Sequence, residues 1–395
     1  MSDEDRLTRL VPRMREHGVS VFAEMSALAT RVGAINLGQG FPDTEGPELV
    51  KQTALRAIED GLGAQYPPAH GLPQLRDAIA RHQQRLYGIA LDPATDVVVT
   101  TGASEAIVAI LLALVDEGDE VAMFEPWFDI YAAAISLARG VRVGVPMSGP
   151  ALRPDLDALA AAITPRTRLL LINSPHNPTG VVFTRAELER IRDIAIAHDL
   201  LVLADEAYEH LYYAGHPHIP ISTLPGMFER TITVGSGGKT FSFTGWKVGW
   251  ATGPTDLVAA ARTVRQHLSY VSSGPFQWAM AAGLDMPSEY FEEFRADLTL
   301  KRDLLSGGLA DLGFAVVPAQ GTYFVSTDVR PLGFPDGLAF CRAIPDLARV
   351  VAIPHSAFCD DPGVAGPYVR WAFCKQPSVL TEALDRLASG LRPAA

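Results

Sequence analysis

Apolar runs alternate with amphipathic stretches from residue 97 to about residue 248. Val97-Val98-Val99-Thr100 reads as a strand and Ser104 to Val115 as a helix. Glu120 to Phe124 and Arg142 to Val145 are again strand-like, and Arg168 to Ile172 is an apolar strand bounded by polar residues. Asn173 to Gly180 leads into a helix from Arg185 to His198. Thr184 and Glu187 form a capping-box pair that fixes the start of that helix. Leu200 to Ala204 and Thr231 to Val234 are the next strands. Continuous apolar strands between helices predict a mostly parallel sheet covered on both faces. Between Val234 and Val248 lie about a dozen residues without a helical period, too few for the usual crossover, so that pair is expected to be antiparallel and the sheet mixed.

After Pro287 the texture changes. A helical stretch, Ser288 to Leu312, is followed by strand candidates at Ala315–Val317, Thr322–Thr327, Val350–Ile353 and Val369–Phe373, and by a final helix from Val379 to Leu391. Short strands with helices at the ends suggest a smaller α+β unit. The first 45 or so residues carry two loop signals, Gly38-Gln39-Gly40 and Phe41-Pro42-Asp43, and no complete βα unit. The chain of 395 residues exceeds what one core usually serves. The expectation is a large α/β domain over 46–287 and a small domain formed by 1–45 and 288–395.

Composition narrows the classes. The net charge of −12 argues against nucleic-acid binding. The acidic start, Met1-Ser2-Asp3-Glu4-Asp5, has no apolar segment behind it, so no secretory signal is expected. The longest apolar run, Ala106 to Val115, is too short to span a bilayer. Three cysteines, Cys341, Cys359 and Cys374, lack C-x-x-C spacing and suit a reducing cytoplasm rather than a disulfide framework or zinc site.

In an open parallel sheet, ligands bind outside the carboxyl ends of the strands. Four polar clusters fall there: Gly102-Ala103-Ser104, Asn173 to Gly180, Asp205 to Tyr208, and Ser236 to Lys239. A Gly-Ala-Ser turn before a helix can be a simple cap, or an anion site built on backbone N–H groups and the helix dipole. Gly235 to Thr240 also looks like the end of a nucleotide P-loop, with Leu201 to Glu206 as a Walker B strand. That match fails because the required first glycine is Thr233, no amphipathic helix follows Lys239, and the order is reversed. His210, His216 and His218 invite a metal reading, but no ligand joins them at suitable spacing, so a solvated loop and no metal are expected. Trp246 and Trp250 alternate along an expected strand and read as core, and Glu105 and Glu206 as caps or supporting partners.

Taken in order, Asn-Ser-Pro-His-Asn-Pro-Thr-Gly (173–180), Asp-Glu-Ala-Tyr (205–208), Ser-Gly-Gly-Lys (236–239) with Gly-Trp-Lys-Val-Gly (245–249), and Val-Arg-Trp-Ala-Phe (369–373) resemble a class I/II aminotransferase of the fold-type I pyridoxal 5′-phosphate (PLP) family. Leu-Gly-Gln-Gly-Phe-Pro-Asp (37–43) and Glu-Pro-Trp-Phe-Asp-Ile-Tyr (125–131) are similar to the kynurenine, glutamine and methionine members, and the chain equally resembles actinobacterial-type N-succinyldiaminopimelate aminotransferases.

The resemblance implies PLP held as a Schiff base on Lys239, whose freed amine moves the proton during transfer. It implies Asp205 on the ring nitrogen, where a carboxylate keeps that nitrogen protonated. It puts Asn177 and Tyr208 at the 3′-oxygen and Phe128 on the ring face. Ala103, Ser104, Ser236 and Lys247 would cradle the phosphate, with lysine standing where relatives commonly carry arginine. Arg370 would grip the substrate carboxylate in a bidentate pair, assisted by Asn173 and Gly38. Tyr66 matches a tyrosine that reaches the neighbouring subunit's phosphate, which implies a homodimer with composite sites. Phe22 takes a substrate-side aromatic position, and Ser272 and Ser273 replace an aromatic residue and a histidine, which predicts a widened pocket. The implied substrates are an L-amino acid of the kynurenine, glutamine, methionine, aromatic or N-succinyl-diaminopimelate type and a 2-oxo acid such as 2-oxoglutarate. A β-lyase acting on C–S bonds shares the scaffold.

Overall fold

The structure is a computed structural model that describes residues 9–18 and 21–391. Strand β1 (Ile35–Asn36) lies near the start of the described chain. The large sheet takes β2 (Val97–Thr100), β3 (Glu120–Glu125), β4 (Val141–Ser148), β5 (Arg153–Pro154), β6 (Thr167–Asn173), β7 (Leu201–Asp205), β8 (Thr231–Ser236) and β9 (Gly249–Thr252). Their spatial order is β2-β9-β8-β7-β6-β3-β4-β5. Pairs β3/β4, β3/β6, β6/β7 and β7/β8 are parallel. Strand β9 runs antiparallel to both β8 and β2, which bears out the mixed sheet expected from the short 234–248 connection.

The sheet is central because its strands are apolar on both faces. Leu169, Leu170, Leu171 and Ile172 are all buried, and each such side chain contributes about 1.5–3 kcal/mol relative to exposure. The Gly102–Leu114 helix packs on one face, with Ala106, Ile107, Ile110 and Leu111 buried against the sheet. The Arg185–Ala197 helix packs through Leu188, Ile191 and Ala195. Its capping box is formed as the sequence predicts: Thr184 Oγ1 accepts from the Glu187 N–H, and the Glu187 carboxylate accepts from the Thr184 N–H.

Beyond the Ser288–Asp311 helix lie β10 (Ala315–Val317), β11 (Phe324–Asp328), β12 (Val350–Val351), β13 (Ile353–Pro354) and β14 (Tyr368–Ala372). An antiparallel sheet has the order β10-β11-β14-β13, and β12 pairs in parallel with β1. The early segment therefore docks on the C-terminal part of the chain. Two strand expectations are corrected. The Thr322–Thr327 strand starts only at Phe324, because Thr322 has φ +61° and turns the chain into the strand. The Val350–Ile353 strand divides, Val350–Val351 joining β1 and Ile353–Pro354 joining β14. One core cluster includes Ile107 and Leu203 beneath the large sheet and Val325 and Trp371 of the antiparallel sheet. Trp250 is buried on β9 as expected. Trp246 is not on a strand: it sits in a 3₁₀ turn, stacked between Phe243 (ring centroids 3.9 Å apart) and Phe276 (4.5 Å). Among the described residues no helix is long and apolar enough to cross a membrane.

Candidate active site

Sheet register gathers the polar clusters at one edge. Asn173 pairs with Asp205, and Asp205 with Val234 two residues before Ser236. Gly249 faces both Ser236 and Thr100, so Lys247 comes to the same edge as the Gly102 turn. These ends enclose a cavity of about 240 Å³. Ala103, Ser104, Phe128, Asn173 and Asn177 line it, as do Asp205, Tyr208, Ser236, Lys239 and Lys247. Arg370 closes it from the antiparallel sheet. Gly38 is not in the wall and acts through its backbone. Tyr66 lies away from this cavity, 79% exposed and edge-on to Tyr270 at 5.5 Å. The side chain of Phe22 lies outside the described residues.

Lys239 sits in the single helical turn Gly237–Thr240 that follows β8. Its Nζ donates to Tyr323 Oη at 2.8 Å and lies 3.4 Å from the Gly40 carbonyl. The Tyr323 hydroxyl in turn donates to Gly40 O at 2.6 Å. Burial pushes the Lys239 amine down to about 8, and the positive charges of Arg370 and Lys247 push the same way. The amine is thus poised between its charged and neutral forms near neutral pH.

Both carboxylate oxygens of Asp205 are held. Tyr131 Oη donates to Oδ2 at 2.6 Å and the Ala207 N–H to Oδ1 at 3.0 Å. Burial raises the pKa of this carboxyl, against the two hydrogen bonds and the nearby Lys239 charge. A cationic partner within hydrogen-bond reach would favour its ionised form. Asn173 ties two site elements together: its Nδ2 donates to Asp205 O at 2.8 Å, and its Oδ1 accepts from the Asn177 N–H at 2.7 Å. Burial pushes the Tyr208 phenol up, with the Arg370 charge acting the other way. The Tyr208 ring stands edge-on to Tyr323 at 5.4 Å.

Arg370 occupies the middle of β14, opposite Ser326 on one side and Ile353 on the other. Its guanidinium is buried. Nη1 donates to Asn177 Oδ1 at 2.9 Å, Nη2 donates to Gly38 O at 2.6 Å, and the group lies 4.0 Å over the Phe324 ring. Burial lowers its pKa to about 10, which leaves it cationic at neutral pH.

At the far end of the cavity the Gly102–Leu114 helix begins. The first N–H groups of a helix have no intrahelical partner, and its dipole favours an anion there. Ser104, Ser236 and Lys247 face the same end of the cavity. Backbones meet closely at this end: a Cβ on Gly249 would lie 2.6 Å from the Ala103 nitrogen. Glu105 accepts from the Thr101 N–H, a capping role as its position suggests. The arrangement can hold a flat ring against Phe128, a phosphate at the helix start, a cationic ring nitrogen on Asp205 and a carbonyl carbon at Lys239.

Sequence reasoning missed Tyr131, Tyr323 and Phe324, which hold Asp205, Lys239 and Arg370. Only the 125–131 motif gave a signal, and only for the first of them. The histidine expectation is also corrected. His210 and His218 are buried rather than solvated, because the chain after β7 folds inward against the Pro73–Tyr87 helix. His218 Nε2 lies 3.1 Å from Glu206 Oε2, and Glu209 accepts from Gln83 Nε2 at 3.2 Å. Burial and the neighbouring Glu206 raise Glu209 to about 7. Ser272 and Ser273 do not line the cavity; Ser272 is buried and Ser273 precedes the Gly274–Leu284 helix beside Gly63.

Known proteins share this architecture. A solved structure of N-succinyldiaminopimelate aminotransferase from Mycobacterium tuberculosis superposes with a TM-score of 0.94 at 48% identity, covering 96% of this chain and 99% of that one. The structure of YbdL from Escherichia coli, described as having a methionine aminotransferase function, superposes with a TM-score of 0.91 at 37% identity, covering 96% and 99%. Kynurenine--oxoglutarate transaminase 3 of Mus musculus is 36% identical over 92% of this chain and 86% of its own length. The profile of the family "Aminotransferase class I and II" matches residues 32–387. This enzyme therefore belongs to the class I and II aminotransferases.

Proposed function

We propose that the enzyme works with PLP in the cavity beside Lys239, and that its amino donor is an N-acylated diamino acid of the N-succinyl-diaminopimelate type, with 2-oxoglutarate as acceptor. The observation that carries the coenzyme reading is the convergence of one amine, one buried carboxylate and one buried guanidinium on a single cavity. Bound there, PLP supplies an aldehyde carbon and a ring that accepts electrons from the substrate Cα.

The chain's own residues supply the rest. Arg370 presents two parallel N–H donors to the substrate carboxylate. It is held in advance by Gly38 and Asn177, so little ordering is needed on binding. Lys239, at about 8, is substantially neutral under mildly basic conditions and can take a proton from Cα and return it to the carbon beyond the nitrogen. Tyr323 keeps that amine on the cavity side of its turn. Asp205, fixed by Tyr131 and Ala207, would keep a proton on the ring nitrogen. Phe128 would cover the ring, and Asn177 Nδ2 and the Tyr208 hydroxyl would serve its 3′-oxygen. The helix start at Ala103 and Ser104, with Ser236 and Lys247, takes the phosphate.

The donor class rests on the 48% identity to the Mycobacterium tuberculosis protein called a probable N-succinyldiaminopimelate aminotransferase. Gln39 and Thr244 add polar groups to the cavity wall, which suits a donor with a long polar end. The exposed Tyr66 supports a homodimer in which each protomer completes the other's phosphate site. We further read 46–287 as the coenzyme domain, with 1–45 and 288–395 as the small one, and the free cysteines as suited to the cytoplasm.

A panel of donors with 2-oxoglutarate, scored by kcat/KM, tests the reading. N-succinyl-diaminopimelate is expected to lead methionine and kynurenine by ~10–200-fold, the scale that pocket fit provides. Aspartate as best donor would overturn the donor assignment, and failure of the protein to take up PLP would overturn the coenzyme reading.

A further inference from the structure

The buried face behind the Asp205–Tyr208 turn holds a group of side chains that amino transfer does not use. Among the described residues His82, Glu209 and His210 each offer a ligand atom, all within 4.8 Å of one another, and all three residues are buried. The two Nε2 atoms are 3.0 Å apart, and Glu209 Oε1 is 3.7 Å from His210 Nε2. Zinc holds nitrogen and oxygen ligands at ~2.0–2.2 Å in a tetrahedron, which sets neighbouring ligand atoms about 3.3 Å apart. The observed separations bracket that value.

We propose that His82, Glu209 and His210 bind a borderline divalent cation of the zinc class, which clasps the Pro73–Tyr87 helix to the turn that carries Tyr208. Two imidazoles and one carboxylate suit this class of ion, whereas calcium and magnesium favour all-oxygen sites. Water takes the fourth position, as in other three-ligand zinc sites. Supporting partners are already in place: Gln83 Nε2 donates to Glu209 Oε2 at 3.2 Å, and His82 Nδ1 lies 3.1 Å from the Leu284 carbonyl. An Nδ1–H donated to that carbonyl turns the lone pair of Nε2 toward the ion. Arg85, 3.3 Å from His82 Nδ1, also lines an open groove of about 670 Å³ whose wall includes Asp77 and Asp285.

None of the three ligands lines the cavity of Lys239. Glu209 and His210 follow Tyr208 directly in the chain, and His82 comes from a helix more than a hundred residues earlier. The ion is therefore a positioning device for the Asp205–Tyr208 turn and takes no part in the transfer itself.

The test uses the full-length holoenzyme, stripped with a chelator, incubated with zinc chloride and passed through gel filtration. Stoichiometric retained zinc and a melting temperature raised by several degrees are expected. His82→Gln and His210→Asn should each lose both effects while His216→Ala keeps them. Gln83→Leu leaves every ligand in place and should weaken zinc binding ~10- to 100-fold, which decides the matter if the ligand variants do not fold. Background zinc in the wild-type protein overturns the proposal. So does zinc affinity unchanged in folded ligand variants or, where those do not fold, in Gln83→Leu.

Discussion

The large sheet and the antiparallel sheet reach the same cavity by different means. The large sheet offers the ends of its strands, where the chain turns and where register alone brings Asn173 beside Asp205 and Ser236 beside Gly249. The antiparallel sheet offers one arginine from the middle of a strand, buried and pointed across the gap. The bonds that aim Arg370 run to Gly38, in neither sheet, and to Asn177, beyond the end of β6. The strand-end groups Asn173, Asp205 and Ser236 are thus lined up by register within one sheet, whereas Arg370, the proposed carboxylate anchor, depends on three distant segments meeting. The contrast predicts that substrate affinity will respond to small shifts between the sheets more readily than coenzyme affinity.

Changes on the large-sheet side set the upper limit. Lys239→Ala should lower the amino-transfer rate by ~10⁴-fold, the upper range for a positioned proton-transfer group. Borohydride treatment should then no longer fix PLP to the chain, as mass spectrometry will show. Substantial residual transfer would mean that another base does the work. On the other side, Arg370→Lys keeps the charge but loses the fork, and kcat/KM should fall by about two orders of magnitude, on the scale of ~3 kcal/mol. PLP absorbance should be unchanged in that variant. A loss of PLP from it would erase the division of labour between the sheets.

A pH series sharpens the same comparison. Burial lowers Lys239 to about 8, so the amine is neutral above that pH and protonated below it. Capture of added PLP needs the neutral amine, so its rate should rise about fifty-fold from pH 6 to pH 8 and level off above pH 9. A rise that continues through pH 10 would show an unperturbed lysine. Tyr131→Phe removes one donor from Asp205 and should cost about 1 kcal/mol, seen as a roughly fivefold fall in kcat with KM for the donor nearly unchanged.

What could be read from sequence follows the same division. Strand ends carry their chemistry in short local motifs, and the apolar runs before them mark the strands, so Lys239, Asp205, Asn177 and the Gly102 turn were legible. The antiparallel β8/β9 pair was legible because its connection is short. The supports of the cavity were not. Tyr323 reaches Lys239 across 84 positions and Tyr131 reaches Asp205 across 74, and no local period encodes such meetings. The histidines failed for the same reason: His210 finds its partner at His82, 128 positions away. Trp246 failed because the alternation of Trp246 and Trp250 continued across a turn that Lys247 makes in the left-handed region, at φ +54°.

The close backbone approach at Gly249 bears on how this enzyme can change over generations. Where main chain packs on main chain, with 2.6 Å between a would-be Cβ and the Ala103 nitrogen, a side chain finds no room and variation is closed off. Gly40 is closed in the same way, since a Cβ there would sit 2.4 Å from the Phe324 ring. Gln39 and Thr244, also in the wall, already carry side chains and are only partly buried. New donor preferences can therefore arise through a handful of replaceable positions while the close-packed glycines stay fixed, which makes the cavity a conservative frame around a small evolvable window.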